Sequence, residues 1–122
     1  LAAQGAPYAV ENVIGAPYGH GIILCGSMFD LPIQRHRNFE TSMLLFQPPC
    51  QHERWTHRPY TITGNGSKTA KEYHHSNHIA KAEAAEMMGM PWATWDEVKL
   101  AIPPAYTEWI GRQLLASIEA VA

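Results

Sequence analysis

Short apolar runs separated by Gly- and Pro-rich breaks fill the first half of the chain, and helical periodicity sets in only in the second. Tyr8-Ala9-Val10 is β-prone and gives way to Glu11-Asn12 and the Gly15-Ala16-Pro17 break. A strand ending in a polar pair places Glu11 and Asn12 where ligands bind in open α/β sheets, outside the carboxyl ends of strands. Gly21 to Leu24 and Phe39 to Phe46 are two further runs of strand length, with Ile33-Gln34-Arg35-His36-Arg37 between them. From Pro48 to Lys68 the chain is rich in Pro, Gly, His and Arg without helical period, which predicts an irregular surface segment. Ile79 to Met88 predicts a helix stopped by Gly89 and Pro91. Thr94-Trp95-Asp96-Glu97 has the form of a capping box. Pro103-Pro104 opens a last helix, along which Tyr106, Ile110, Leu114, Ile118 and Val121 make one apolar stripe, expected to be core. Trp92, Trp95 and Trp109 are expected in core or interdomain packing rather than as base-stacking platforms.

Composition narrows the class. A chain of 122 residues, 46% hydrophobic and 16% charged, fits one compact domain. It has neither a bilayer-length apolar run nor a signal-like start, so a cytoplasmic location is expected, the host cytoplasm if the gene belongs to a phage. Two cysteines, Cys25 and Cys50, are too few for a disulfide framework and read as reduced thiols. The net charge of −2 excludes a polybasic binder, yet the charge is segregated. Residues 34–80 carry Arg35, Arg37, Arg54, Arg58, Lys68 and Lys71 against Glu40, Glu53 and Glu72, together with six of the seven histidines. The flanks are acidic. A solvated surface explains such a patch, and so does a phosphate backbone.

Four motifs then carry a resemblance. Tyr8-Ala9-Val10-Glu11-Asn12-Val13 resembles the Glu-Asn-Val motif of the DNA (cytosine-5) methyltransferases, and Leu31-Pro32-Ile33-Gln34-Arg35-His36-Arg37 resembles their later Gln-x-Arg-x-Arg motif. Ala82 to Pro91 is similar to the helix after the target-recognition region, and Ala101 to Gly111 to the last motif, a Pro-Pro turn into the final helix. Leu24 to Phe29 and Pro48-Pro49-Cys50 suggest the bacteriophage-type branch. The sequence departs from the pattern twice. Ile33 stands where the family has Gln, and Lys99-Leu100 where the last motif opens with Gly-Asn.

The resemblance implies an α/β fold, the C-terminal half of a Rossmann-like methyltransferase domain. Residues 1–47 would supply strands of the catalytic domain, 48–78 an irregular basic and His-rich target-recognition segment, and 79–122 C-terminal helices packing back on that domain. It implies methyl transfer from S-adenosylmethionine to a cytosine flipped out of DNA. The family attacks cytosine C6 with a cysteine thiolate, and a carboxyl group at the N3 edge stabilises the adduct, a role carried over to Glu11. Arg37 would hydrogen-bond the cytosine O2, Arg35 would order the site or a phosphate, and Asn12 would fix the loop holding Glu11. Arg54, Arg58 and Lys68 would meet DNA, and Ile102 and Pro103 would border the cofactor. The cofactor Gly-rich motif and the catalytic cysteine motif are absent from these residues, so the chain is expected to be part of something longer or split, and inactive alone. An open sheet edge and uncovered apolar surface would then call for self-association or a partner.

Other readings compete. Pro48-Pro49-Cys50-Gln51 spells the family's catalytic motif, but Cys50 follows Glu11 where the nucleophile should precede it, so a structural turn cysteine is the better reading. Gly64-Asn65-Gly66-Ser67-Lys68-Thr69 lacks the contiguous Gly-Lys-Ser/Thr of a phosphate loop. Cys50, His52, His57 and the cluster His74, His75, His78 offer enough donors for zinc, but their spacing matches no standard module and no metal ligand is assigned. The alternative class is a non-enzymatic, DNA-contacting or zinc-stabilised module with a methyltransferase-like fold.

Overall fold

A computed structural model describes residues 5–17, 21–56, 60, 62 and 81–121. It is a small mixed α/β structure. Three strands, β1 (Ala9–Asn12), β2 (Ile22–Leu24) and β3 (Arg37–Thr41), form one sheet in the order β1-β3-β2. Among the described residues three α-helices follow, α1 (Lys81–Met87), α2 (Trp95–Val98) and α3 (Pro104–Val121). Both outer strands run antiparallel to β3, with Glu11 opposite Phe39 on one side and Ile22 opposite Phe39 on the other. β1 and β2 therefore point the same way, with β3 reversed between them.

The strands differ from expectation at their ends. β1 runs on through Glu11 and Asn12 because both find ladder partners, Phe39 and Asn38. The apolar run from Phe39 to Phe46 is strand only as far as Thr41, while β3 begins earlier, at Arg37. Past that point β1 has no residue left to pair. The Ser42 N–H closes the ladder on the Tyr8 carbonyl, and the Thr41 hydroxyl bonds the Met43 carbonyl 2.6 Å away, turning the chain out. Leu44 and Phe46 are consequently exposed.

Two small cores sit on either side of Leu31. Ile22, Leu24 and Phe39 pack under Tyr106 and Ile110 of α3, and Ile33, Ile62, Ala84, Ala85, Met88 and Val98 form the other core around α1 and α2. The helix boundaries follow the signals in the sequence. Gly89, at φ 76°, takes the left-handed conformation that closes α1, with its N–H on the Glu86 carbonyl and that of Met90 on Ala85. Thr94 and Glu97 make the capping box in full. The two Thr94 hydrogen bonds hold the Glu97 carboxyl below its ordinary pKa.

The stripe on α3 is buried only in its first half. Tyr106 and Ile110 are core and Leu114 is half-buried, but Ile118 is exposed, and the Val121 side chain lies outside the described residues. Length explains it. Eighteen residues make a helix of about 27 Å, longer than strands of three to five residues can cover. Trp95 and Trp109 are half-buried against the two cores as expected, whereas Trp92 is 73% exposed and packs in neither.

Tyr106 ties α3 to the sheet. Fully buried, it donates from its hydroxyl to the Arg35 carbonyl at 2.7 Å and stacks edge-on to Phe39. Burial pushes its pKa up, so the phenol stays protonated and remains a donor. Tyr106→Phe is expected to lower stability by about 1–3 kcal/mol, the cost of leaving a buried carbonyl without its donor. A urea midpoint shift at unchanged slope would show it, and no shift would mean that water replaces the hydroxyl.

Candidate functional site

The two strand motifs meet on one face of the sheet. Because Glu11 opposes Phe39 and side chains alternate along a strand, Arg37, two residues before Phe39, lies diagonally across from Glu11 on the same side. Their side chains pair, Arg37 Nε to Glu11 Oε1 at 3.1 Å, both partly open to solvent. Arg37 also donates from Nη1 to the His36 carbonyl at 2.8 Å, which fixes the guanidinium plane. Asn12 accepts the Val13 N–H through Oδ1 at 2.9 Å and so shapes the exit of β1.

Beside this pair runs an open hollow of about 350 Å³ between β1 and α3. Glu11 stands at its polar edge, and Tyr8, Phe39, Ile102, Ile110 and Leu114 are among the residues that make it largely apolar. Ile102 therefore borders the same space as Glu11. Pro103, assigned with it to the cofactor, is fully buried.

Arg35 does something different from Arg37. It is 5% exposed, and its guanidinium donates to three backbone carbonyls, Ile62 at 2.7 Å, Lys99 at 3.2 Å and Ala101 at 2.6 and 3.0 Å. Desolvation, helped by the neighbouring charge of Arg37, lowers its pKa to about 10, which still leaves it cationic at neutral pH. Arg35 thus holds the Lys99–Ala101 turn before α3 against the segment entering β3, with the guanidinium turned to protein carbonyls rather than to solvent.

Of the three residues expected to meet DNA, Arg54 is exposed and stands 3.9 Å from Asp30, too loosely paired to hold it. Arg58 and Lys68 lie outside the described residues, as do the Gly64–Thr69 loop, His57 and the cluster His74, His75, His78.

The structure also gathers a constellation that the sequence reading did not assemble. Cys25, just after β2, His36, just before β3, and Cys50 and His52 from the irregular segment bring four ligand atoms within 4.8 Å of one another. Cys25 Sγ lies 3.2 Å from His52 Nε2, and Cys50 Sγ lies 3.6 Å from His36 Nε2. Burial alone would raise the Cys25 pKa, but contacts with His36, Ser27 and His52 outweigh it and bring the thiol down to about 6. His36 is raised in turn by its contact with Cys25, against the effect of burial. Cys50 is raised, by burial first and then by the Cys25 charge. Cys25 is fully buried and Cys50 partly so. Of the four, only Cys50 and His52 stand at a donor spacing legible in the sequence. Cys25 was hidden at the end of an apolar run, His36 between two arginines.

In the comparisons with known proteins, no family model matches the chain, no curated protein matches it, and no solved structure matches it.

Proposed function

We propose that this chain is the base-holding, C-terminal part of a DNA cytosine-5 methyltransferase, with the cofactor Gly-rich motif and the catalytic cysteine supplied by a further polypeptide segment. The observation that carries the reading is the Glu11–Arg37 pair at 3.1 Å. Two motifs far apart in sequence, each recognised on its own residues, put on one face the carboxylate and the guanidinium that the chemistry needs together. The apolar hollow beside them and the ordering of its wall by Arg35 add support.

On this reading Glu11 holds a proton at cytosine N3 and Arg37 donates to O2, so that negative charge developing on the ring during thiolate addition meets a donor at each polar edge. Their mutual contact keeps both side chains in place until the base displaces it. S-adenosylmethionine supplies the methyl group when bound. Of the residues here, Ile102 would touch it, since it borders the hollow, while Pro103 would support the turn from beneath. Arg54, Arg58 and Lys68 would face DNA phosphates.

The sheet supports a Rossmann-like whole. Like-directed outer strands around one reversed strand suit the antiparallel end of a larger mixed sheet. Among the described residues the outer edge of β1 pairs with no strand, and Val10, Val13 and Ile14 beside it are exposed. The edge of β2 is treated differently, for the Ile23 N–H is taken by Gln47 Oε1 at 2.7 Å. A partner segment, or a second copy, would add strands at β1.

A methyl-transfer assay on DNA tests this, with the chain alone and mixed with the N-terminal half of a related enzyme. Transfer is expected only on mixing. Transfer by the chain alone, or a mixed complex that forms yet transfers nothing, would overturn the reading.

A further inference from the structure

We propose that Cys25, His36, Cys50 and His52 form a structural zinc site that clamps the irregular segment after β3 onto the two strands beside it. The proposal stands on geometry that does not depend on the enzymatic reading. Tetrahedral zinc with bonds of about 2.3 Å to sulfur and 2.0–2.1 Å to nitrogen requires sulfur and nitrogen ligands about 3.6 Å apart. The two pairs here are at 3.2 and 3.6 Å, and all four donor atoms fall within 4.8 Å of one another. Both imidazoles turn Nε2 to the thiols, so the donors converge on one point.

The surroundings hold the donors in that arrangement. Ser27 Oγ donates to Cys25 Sγ at 3.3 Å and accepts the Gln51 N–H at 3.0 Å, linking the first ligand to the residue between Cys50 and His52. The His52 ring stacks on Trp55 at 4.8 Å, and the Trp55 indole N–H is anchored on the Leu31 carbonyl. Gly26 keeps the turn after Cys25 tight, because a side chain there would collide with the Ile33 carbonyl. Such outer contacts orient metal ligands and set their basicity.

Two thiolates and two imidazoles in a tetrahedron suit zinc, and four protein ligands leave no open position, the pattern of a structural rather than a catalytic ion. On binding, whatever protons the two thiols and two imidazoles still hold pass to the buffer and each imidazole binds through its neutral nitrogen, so the charge of Zn²⁺ is balanced by two thiolates and nothing is oxidised. The clamp joins Cys25 to a partner 27 residues on, and His36 to one 14 residues on, across a segment with little regular structure of its own. His36 immediately precedes Arg37, so the ion also steadies the start of β3, which brings Arg37 to Glu11 of β1.

The full chain, freed of metal with a chelator and kept reduced, is titrated with Zn²⁺ and with Co²⁺. One ion per chain is expected, with the visible bands of tetrahedral Co²⁺ and a thiolate charge-transfer band of two-sulfur intensity. Zinc should abolish both and shield both cysteines from alkylation. Cys50→Ser and His52→Gln, at partly buried positions, should each weaken binding by at least about tenfold while far-UV circular dichroism is retained. Joint replacement of His74, His75 and His78 by Ala should leave the stoichiometry at one. A folded chain that binds neither ion, a Co²⁺ spectrum without thiolate bands, binding lost on replacing His74, His75 and His78, or a Cys25–Cys50 disulfide forming under saturating zinc would each overturn the proposal.

Discussion

Arg35→Met is expected to cost about 2–4 kcal/mol of folding stability, a large part of the 5–15 kcal/mol typical of a small domain. Methionine fills much of the space, so packing is not the main loss. The loss lies in the carbonyls of Ile62, Lys99 and Ala101, which now receive four hydrogen bonds from one guanidinium. Left without it, the more deeply buried of them remain unpaired at about 1–3 kcal/mol each. Release of the charge from its buried position offsets part of that sum. Lysine should recover only a fraction, since one ammonium cannot present a planar fork to three acceptors. Urea unfolding of the three proteins side by side checks the order wild type, Lys, Met. A Met variant within 0.5 kcal/mol of wild type would show that water satisfies these carbonyls.

The same residue shows where reading the sequence succeeds and where it stops. Arg35 was legible as part of a motif, because Arg-x-Arg is local. Its role as an organiser was not, because its partners at Lys99 and Ala101 lie more than sixty positions away and are backbone atoms, which carry no residue-type signal. Elements governed by neighbours in sequence came through well: a strand containing Ala9-Val10, the stop at Gly89, the Thr94 box, the Pro103-Pro104 helix start. Those decided by tertiary partners did not. The run ending at Phe46 loses its strand where β1 runs out, and Ile118 loses its burial where the sheet does. The Cys/His cluster is the extreme case. Its Cys25–His52 and Cys50–His36 contacts are set by folding, and only the Cys50-x-His52 spacing is local in the sequence.

If the proposed methyltransferase function holds, Glu11→Gln is expected to lower methyl transfer by the mixed halves about 10²- to 10⁴-fold, the usual range for losing a positioned proton donor. Gln keeps the size of Glu11 and can still hydrogen-bond Arg37, so the ladder from Ala9 to Asn12 and the fold should be unchanged. What it cannot do is share the proton that the proposal places at the cytosine N3. The loss should therefore fall on kcat, with the affinity for DNA nearly constant. Arg37→Lys should behave differently. It retains charge but gives up the fixed guanidinium that now bonds both Glu11 and the His36 carbonyl, so the base is held less well and KM should rise along with a fall in kcat. Because the two side chains touch, the double variant should lose less than the product of the single effects. Equal and fully multiplicative losses would mean that Glu11 and Arg37 act on separate parts of the reaction, and that their 3.1 Å contact has no part in it.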